Sequence, residues 1–264
     1  MNFRICISLF LVCCLLSPVM AQRDKNKQKE VIVKAMTYNT YSGRKQGIDK
    51  IAEVIKQEDP DIVSLQEIER NTEINPWNTP ERLSVLTGMK YYYFAHALDI
   101  PTGGDYGNVI LSKFPISEEK SFKLSVLKEN DYVRSFGYVK VMKEGKEFYF
   151  ATTHLDHKYE DATRLKQIDE ILACMEQLDK PIILGGDLNS RRGSVTMAAF
   201  QKYFTVNCLS DAAPWTVPVP SPTYACDWLI YAPNEAFTVK AYNVCYWADK
   251  ESDHYPVVAT YLIK

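Results

Sequence analysis

From residue 30 onward, short apolar segments with strand character alternate with amphipathic helical segments, an order that is typical of layered α/β folds. VIVKAMTYN at 31–39 predicts a strand, and the isoleucines at 48, 51 and 55 predict a helix that ends before Asp59-Pro60. The same patterns predict strands at 61–66, 90–98, 107–113, near 120, 132–142, 147–155, 181–189, 227–232, 236–246 and 256–263, and helices at 79–88, 160–178 and 194–204. Because several consecutive strands are joined as hairpins, as around Gly145, we expect sheets that are not purely parallel.

The N-terminal 21 residues have the pattern of a secretory signal peptide. Arg4 supplies a positive charge, 5–16 is mostly apolar, and Val19-Met20-Ala21 offers a cleavage position after Ala21. The apolar run is shorter than the roughly 20 residues that span a bilayer, so we expect export and cleavage and no transmembrane anchor. Residues 22–29 are polar and charged, which predicts a flexible linker. No repeat or composition shift divides 30–264, which we expect to form one domain and a monomer.

Composition excludes two classes of protein. An apolar content of 46% excludes general intrinsic disorder. Lys and Arg number 31 against 33 Asp and Glu, a net charge of −2, so the chain lacks the basic excess of a general nucleic-acid binder.

Cys174 lies on the apolar side of a predicted helix and is expected to be a buried free thiol, whereas one disulfide is expected among Cys208, Cys226 and Cys245. These cysteines lack the paired short spacings of a zinc site.

Polar side chains stand where apolar strands end, at the positions from which a rigid element presents groups to a cleft. The strand-end residues are Asn39, Glu67, His154, Asp187 and Asn189, while Asp227 opens the penultimate strand and Ser252-Asp253-His254 precedes the last one. Carboxylate and amide oxygens are hard ligands, which suit Mg²⁺ or Mn²⁺ better than zinc. This chemistry indicates metal-assisted hydrolysis.

Six short motifs occur along the chain in a fixed order: TYN at 37–39, LQE at 65–67, YGNVILSKFP at 106–115, THL at 153–155, GGDLN at 185–189 and SDHYP at 252–256. Their order and strand-end placement resemble the endonuclease/exonuclease/phosphatase superfamily over essentially all of 31–264. The resemblance implies an α/β fold of the deoxyribonuclease I-like type. This is a four-layer α-β-β-α sandwich in which helices flank two central mixed β-sheets, with a divalent cation at one end.

The resemblance also implies a metal and water site. Glu67 would ligate the cation, Asn39 would support it directly or through water, and Asp253 would contact it. Asp187 would orient or deprotonate the attacking water, and Asn189 would hold that water or donate to the phosphate. The cofactor implied is Mg²⁺ or Mn²⁺.

Further residues would act on the phosphate. His254, oriented by Asp227, would serve as general base or stabilise the transition state, and His154 would donate to a non-bridging oxygen or assist the leaving group. Asn108 follows Tyr106-Gly107 and is a candidate phosphate contact, as is Arg191 after the GDLNS segment.

Several alternatives stay open. Arg134 either extends the substrate site or faces solvent from a strand, and Glu69-Arg70-Asn71 is a further candidate extension. Trp228 and Tyr255 replace the Arg and Lys that similar motifs carry in inositol 5-phosphatases, which argues against a multiply phosphorylated inositol. The substrate is therefore open among nucleic acid, a phospholipid head group and a small phosphate ester. An exported binding protein that kept the fold without the chemistry is the alternative of another class.

Overall fold

A computed structural model describes residues 30–129, 132–206 and 214–264. The strands in these ranges are β1 (Val31–Asn39), β2 (Ile62–Arg70), β3 (Tyr91–Asp99), β4 (Asp105–Ser112), β5 (Ile116–Leu124), β6 (Arg134–Lys143), β7 (Lys146–His154), β8 (Ile182–Asp187), β9 (Asp227–Ala232), β10 (Phe237–Val244) and β11 (Val257–Ile263). The α-helices are α1 (Ile48–Glu58), α2 (Thr79–Thr87), α3 (Asp161–Met175) and α4 (Val195–Phe200). Each element predicted from sequence is present, with ends displaced by a few residues.

The predicted signal peptide and linker, 1–21 and 22–29, lie outside the described residues. Across the part of the chain that is described, no helix combines the length and the apolar character needed to cross a bilayer.

The strands form two mixed sheets. One has the order β10-β11-β1-β2-β4-β3, and the other has the order β5-β6-β7-β8-β9. Only the β1–β2 and β7–β8 pairs are parallel among the described strands, and all other neighbours are antiparallel. This confirms the expectation of sheets that are not purely parallel.

Three apolar layers hold the sandwich together. The two sheets face each other across one core, which includes Val33, Ile110, Phe150, Ile183 and Tyr261. Helices α1 and α2 cover the outer face of the six-stranded sheet, and α3 and α4 cover the outer face of the five-stranded sheet. Each fully buried aliphatic or aromatic side chain contributes about 1.5–3 kcal/mol. The predicted four-layer α-β-β-α sandwich is confirmed.

The central strands bring the polar strand ends to one end of the sandwich. Asn39 is paired in register with Gln66 on the parallel strand β2. In the other sheet, His154, Asp187 and Asp227 stand side by side on β7, β8 and β9. The parallel β7–β8 pair and the antiparallel β8–β9 pair thus place these three candidates, which are far apart in sequence, at adjacent positions.

Two glycines in β8 allow close approach near this end: Gly185 faces the other sheet, and Gly186 faces the neighbouring strand β7. A Cβ atom on Gly185 would lie 2.9 Å from the Ser64 Cβ of the facing sheet. A Cβ atom on Gly186 would lie 2.4 Å from the Thr153 carbonyl oxygen of β7. Larger residues at these positions would push apart the strands that carry the site.

Candidate active site

A β-bulge in β2 directs Glu67 away from regular strand geometry. The pairing of β2 with β4 shifts register between Leu65 and Ile68, and Glu67 has a φ of 58°. A non-glycine residue in this region costs about 1–3 kcal/mol, so the surrounding structure must hold it there. The hydroxyls of Thr40 and Ser42 do so by donating to the Glu67 carbonyl at 3.2 and 3.0 Å.

The amide of Asn39 lies at the centre of the site. Its Nδ2 is 3.3 Å from Glu67 Oε1, 3.0 Å from Asp187 Oδ2 and 3.5 Å from His254 Nε2. Its Oδ1 accepts a hydrogen bond from the Tyr41 backbone N–H at 3.1 Å, which fixes the orientation of the amide. Three predicted catalytic or metal residues therefore meet around one buried side chain.

Asp187 is the most heavily contacted carboxylate of the group. Its Oδ1 accepts from the Asn189 backbone N–H at 3.0 Å, and its Oδ2 lies 3.4 Å from His154 Nε2. Burial, together with the charge of Asp227, raises the pKa of Asp187 to about 6. Asn189 has a backbone φ of 46°, and its side-chain amide donates to the Leu155 carbonyl at 3.0 Å.

His254 and Asp227 form the predicted pair. His254 Nδ1 lies 2.8 Å from Asp227 Oδ2, and the same oxygen accepts from the Thr216 hydroxyl at 2.5 Å. Burial lowers the pKa of His254, but the opposing attraction of the Asp227 and Asp187 carboxylates outweighs it and raises the pKa to about 10. The imidazole is accordingly protonated at neutral pH.

Arg134 belongs to the site, so the solvent-facing alternative is wrong. Its side chain is 5% exposed and lies 3.1 Å from Tyr106 Oη, 3.1 Å from His154 Nδ1 and 3.3 Å from His157 Nδ1. Its buried Nε has no hydrogen-bond partner, and no carboxylate of the described ranges forms an ion pair with it. The alternation of side chains along a strand would have predicted its burial, since Arg134 lies on the same strand face as buried Phe136.

Arg134 also determines the protonation of His154. Because a guanidinium only donates, His154 Nδ1 must accept and the ring proton sits on Nε2, which faces Asp187. Burial, and then the charge of Arg134, lowers the pKa of His154 well below its ordinary value. His154 is thus a neutral donor.

These groups line a cleft of about 590 Å³ that opens to solvent. The lining includes Glu67, Arg134, His154, Asp187, Asn189 and His254, together with Tyr41, Arg44, Glu69, Leu98, Ile100, Tyr106, Tyr132 and His157. Glu69 extends the site as the sequence allowed, and its carboxylate is paired with Arg44 at 2.5 Å.

Five predicted residues are absent from the lining of the cleft. Asn39 and Asp227 are buried behind it and contact the lining residues Asp187 and His254, and the other three lie elsewhere. Asn108 is buried and donates to the carbonyl and hydroxyl of Ser135 at 3.1 and 3.3 Å, so it ties the two sheets together. Arg191 stacks 4.2 Å from the ring centre of Tyr224 beside a neighbouring groove. Asp253 lies next to His254 and accepts from Ser252 at 3.3 Å. The geometry gives no support to a phosphate contact by Asn108.

The predicted disulfide does not form between Cys226 and Cys245. Both are free and buried, and they lie in different layers. Cys226 adjoins Asp227, whereas Cys245 packs in the core under α1. Cys208 lies outside the described residues, and Cys174 is free as predicted, although only partly buried.

Glu67 fits a divalent cation. Its carboxylate is partly buried and has the Asn39 amide as its hydrogen-bond donor, with no Lys, Arg or His ion pair within the described part of the chain. Burial raises the pKa of Glu67 and outweighs the hydrogen bond from Asn39, which favours the charged form. A hard cation beside this oxygen would supply the missing positive charge.

The model of the Endonuclease/Exonuclease/phosphatase family matches residues 36–254. The chain belongs to this family. Members of the family are phosphoesterase hydrolases.

Individual relatives of this family member match over shorter stretches or at lower identity. It is 29% identical over 116 residues to a phospholipase C from Staphylococcus aureus. The matched segment covers 39% of this chain and 35% of that protein. It is 30% identical over 101 residues to sphingomyelinase C 1 from Leptospira interrogans. The matched segment covers 33% of this chain and 17% of that protein. An endonuclease/exonuclease/phosphatase from Beutenbergia cavernae shares the fold, with a TM-score of 0.76 at 23% identity over 88% of this chain and 72% of that chain.

Proposed function

We propose that this protein is a divalent-metal-dependent hydrolase that cleaves a phosphodiester by attack of water on phosphorus. The observation that carries the proposal is the Asn39 amide, which lies within 3.5 Å of Glu67, Asp187 and His254. A hydrolase of this kind needs a metal ligand, a base and a stabiliser of developing charge in one cleft, and these three side chains supply them.

Glu67 would hold the cation, which we infer to be Mg²⁺ or Mn²⁺ from the hard oxygen donor. When bound, such an ion neutralises charge that develops on a phosphoryl oxygen. Asn39 would support the site by donating hydrogen bonds from its amide nitrogen, because its Oδ1 already accepts one from the Tyr41 N–H. Asp253, beside the cleft, is proposed to reach the ion through water.

Asp187 is the proposed general base. Above its pKa of about 6 it is a carboxylate, and the Asn189 N–H and Asn39 amide hold it in place. His254 is already protonated, so it stabilises negative charge on the phosphorane-like transition state instead of taking the proton of water. Asn189 would orient the attacking water.

Arg134 and His154 are the proposed donors to the non-bridging oxygens. The guanidinium lines the cleft without a carboxylate partner among the described residues, and His154 Nε2 carries a proton. An anion entering the cleft would supply the counter-charge that Arg134 lacks. Arg191, outside the cleft, would meet a more distant part of the substrate.

The phospholipase C and sphingomyelinase C relatives support a phospholipid head-group diester as the first substrate class. The −2 net charge gives no support to nucleic acid. A phosphomonoester is the second candidate, because the Arg134 guanidinium has no carboxylate partner among the described residues and would attract a dianionic group. Buried Trp228 and Tyr255 stand where inositol 5-phosphatases have cations.

The test is a substrate panel with Mg²⁺, Mn²⁺ or EDTA: sphingomyelin, other phospholipids, plasmid DNA, inositol phosphates and bis(p-nitrophenyl) phosphate. We expect EDTA-sensitive turnover of a diester. Asp187→Ala should lower kcat by at least about 10²-fold, the worth of a positioned general base. Asp179→Ala, an exposed carboxylate on another face, is the matched control. Failure on every ester with every metal would favour a binding protein.

We also propose that the protein is exported, with cleavage after Ala21, and acts as a monomer. The pattern of charge and apolar residues in 1–21 supports the first inference. N-terminal sequencing of the natural protein should begin at Gln22.

A further inference from the structure

A second cluster of potential metal ligands lies under His254 and has a different chemistry from Glu67. The Cys226 thiol donates to Asp227 Oδ2 at 3.4 Å and lies 3.8 Å from His254 Nδ1. With Asp187, these residues bring one sulfur, one nitrogen and two carboxylate oxygens within 4.8 Å of one another. We propose that this cluster binds a thiophilic cation such as Zn²⁺ or Cd²⁺ and that binding switches the enzyme off.

The spacing of the atoms already approaches a tetrahedral site. With Zn–S near 2.3 Å and Zn–N or Zn–O near 2.0–2.1 Å, tetrahedral ligands stand about 3.3–3.6 Å apart. The three edges between Cys226 Sγ, His254 Nδ1 and Asp227 Oδ2 measure 3.4, 3.8 and 2.8 Å. Small side-chain rotations would bring these atoms to ligand distance, with Asp187 as the fourth ligand.

Asp227 provides a second and independent observation. It is fully buried, and its Oδ1 has no hydrogen-bond partner. Its Oδ2 is instead surrounded by Thr216, Cys226 and His254. A buried carboxylate oxygen without a partner is costly, and an ion bound by both oxygens of Asp227 would satisfy it.

The donor set selects the class of ion. A thiolate with an imidazole is a soft set that favours Zn²⁺ or Cd²⁺, whereas Mg²⁺ prefers oxygen ligands alone. The site is reached from the cleft, because Asp187 and His254 belong to its lining. Glu67 is outside this cluster, so the inhibitory ion and the proposed catalytic ion occupy different positions.

Binding has a defined proton balance. The ion replaces the proton of the Cys226 thiol and the proton on His254 Nδ1, and both protons leave to water through the cleft. The hydrogen bond between His254 and Asp227 is replaced by two bonds to the ion. The ion then holds His254 and Asp187 as ligands, so neither side chain can act on a substrate in the cleft; this step alone rests on the proposed function.

The direct test is titration of the full, metal-free chain with Cd²⁺, followed by the ultraviolet thiolate-to-cadmium charge-transfer band. The wild type should show the band at one equivalent. Cys226→Ser and Cys226→Ala should lose it or bind at least about 10–100-fold more weakly. Cys245→Ser, another buried free thiol, and Cys174→Ser should keep it. Circular dichroism establishes that each variant is folded. No band in the wild type, or an equal band in folded Cys226 variants, overturns the proposal.

The second arm measures Zn²⁺ inhibition with Mg²⁺ in excess. Each variant is compared with its own Mg²⁺-supported rate. The wild type should lose about tenfold or more of its rate, with recovery on adding a chelator but not more Mg²⁺. Equal inhibition of Cys226→Ala would overturn the inhibitory role. A Cd²⁺ band in a protein inactive on every ester would sink the proposed function and leave this site standing.

Discussion

Replacing Arg134 with methionine separates a functional charge from a structural one. The side chain is 5% exposed, contacts Tyr106, His154 and His157, and has no carboxylate partner in the described ranges. Methionine keeps much of the apolar stem but removes the charge. If the guanidinium binds phosphate, activity should fall while stability is nearly unchanged.

The magnitudes follow from these contacts. Replacing a buried ion pair with apolar side chains of similar volume is often neutral or stabilising by about 1–4 kcal/mol, and we expect the same sign for an unpaired buried guanidinium. Leaving the buried His154 Nδ1 without its donor costs about 1–3 kcal/mol, so the two effects nearly cancel. We expect the free energy of unfolding to change by no more than about 1 kcal/mol. Loss of one preorganised donor should lower kcat/KM by about 10²–10³-fold, or about 2.7–4 kcal/mol.

The assay pairs urea denaturation of the metal-free protein with hydrolysis of bis(p-nitrophenyl) phosphate in Mg²⁺. Arg164→Met is the matched control, because Arg164 is 6% exposed but pairs with Asp161 and donates to the Asp156 and Lys158 carbonyls. That variant should lose about 2 kcal/mol or more of stability and keep kcat/KM within a few fold. The reasoning is refuted if Arg134→Met loses several kcal/mol while its folded fraction stays fully active.

Three further outcomes are expected. Glu67→Gln should raise the Mg²⁺ concentration for half-maximal rate by about 10–100-fold; an unchanged Mg²⁺ titration would remove Glu67 as a ligand. In metal-free protein, the imidazole signals of His254 should titrate near pH 10, and Asp227→Asn should lower that pKa, because burial then opposes the charge with less compensation. Because the pKa of His254 is raised in the folded state, its pairing with Asp227 stabilises the fold fully below pH 6.5, the ordinary pKa of histidine, and loses this contribution as the pH rises toward 10. The free energies of unfolding of the wild type and of Asp227→Asn, measured across this pH range, test this. Gly186→Ala places a Cβ atom 2.4 Å from the Thr153 carbonyl and should lower stability by about 1–3 kcal/mol in thermal unfolding; an unchanged Tm would show that β8 can move.

The order of strands and helices could be predicted from sequence because it depends on local periodicity. Alternation in 31–39 and helical spacing across 48–58 are properties of neighbouring residues. The strand-end rule also identified Glu67, Asp187 and His254, since polar groups interrupting apolar strands are visible without coordinates. Helix ends were less certain: α4 stops at Phe200, because capping and packing decide the last turn.

Contacts between distant segments had no local signal. Asn108 looked like a phosphate contact beside glycine, but strand pairing turns its amide toward Ser135 on the other sheet. Cys226 and Cys245 are near in sequence, yet they pack in different layers and stay free. In both cases, sequence proximity carried no information about which face of which sheet a side chain meets.

The amino-acid sequence by itself determined the alternating elements, the layered class and most of the residues that carry chemistry, because these follow from spacing and residue type. Only the tertiary structure decided which of these residues are protonated and which side chains they contact. His254 is charged because Asp227 lies 2.8 Å away, and His154 is neutral because Arg134 donates to its ring. Both effects depend on distances of a few ångströms between segments joined only by folding, and electrostatic interactions in a buried site change steeply over such distances.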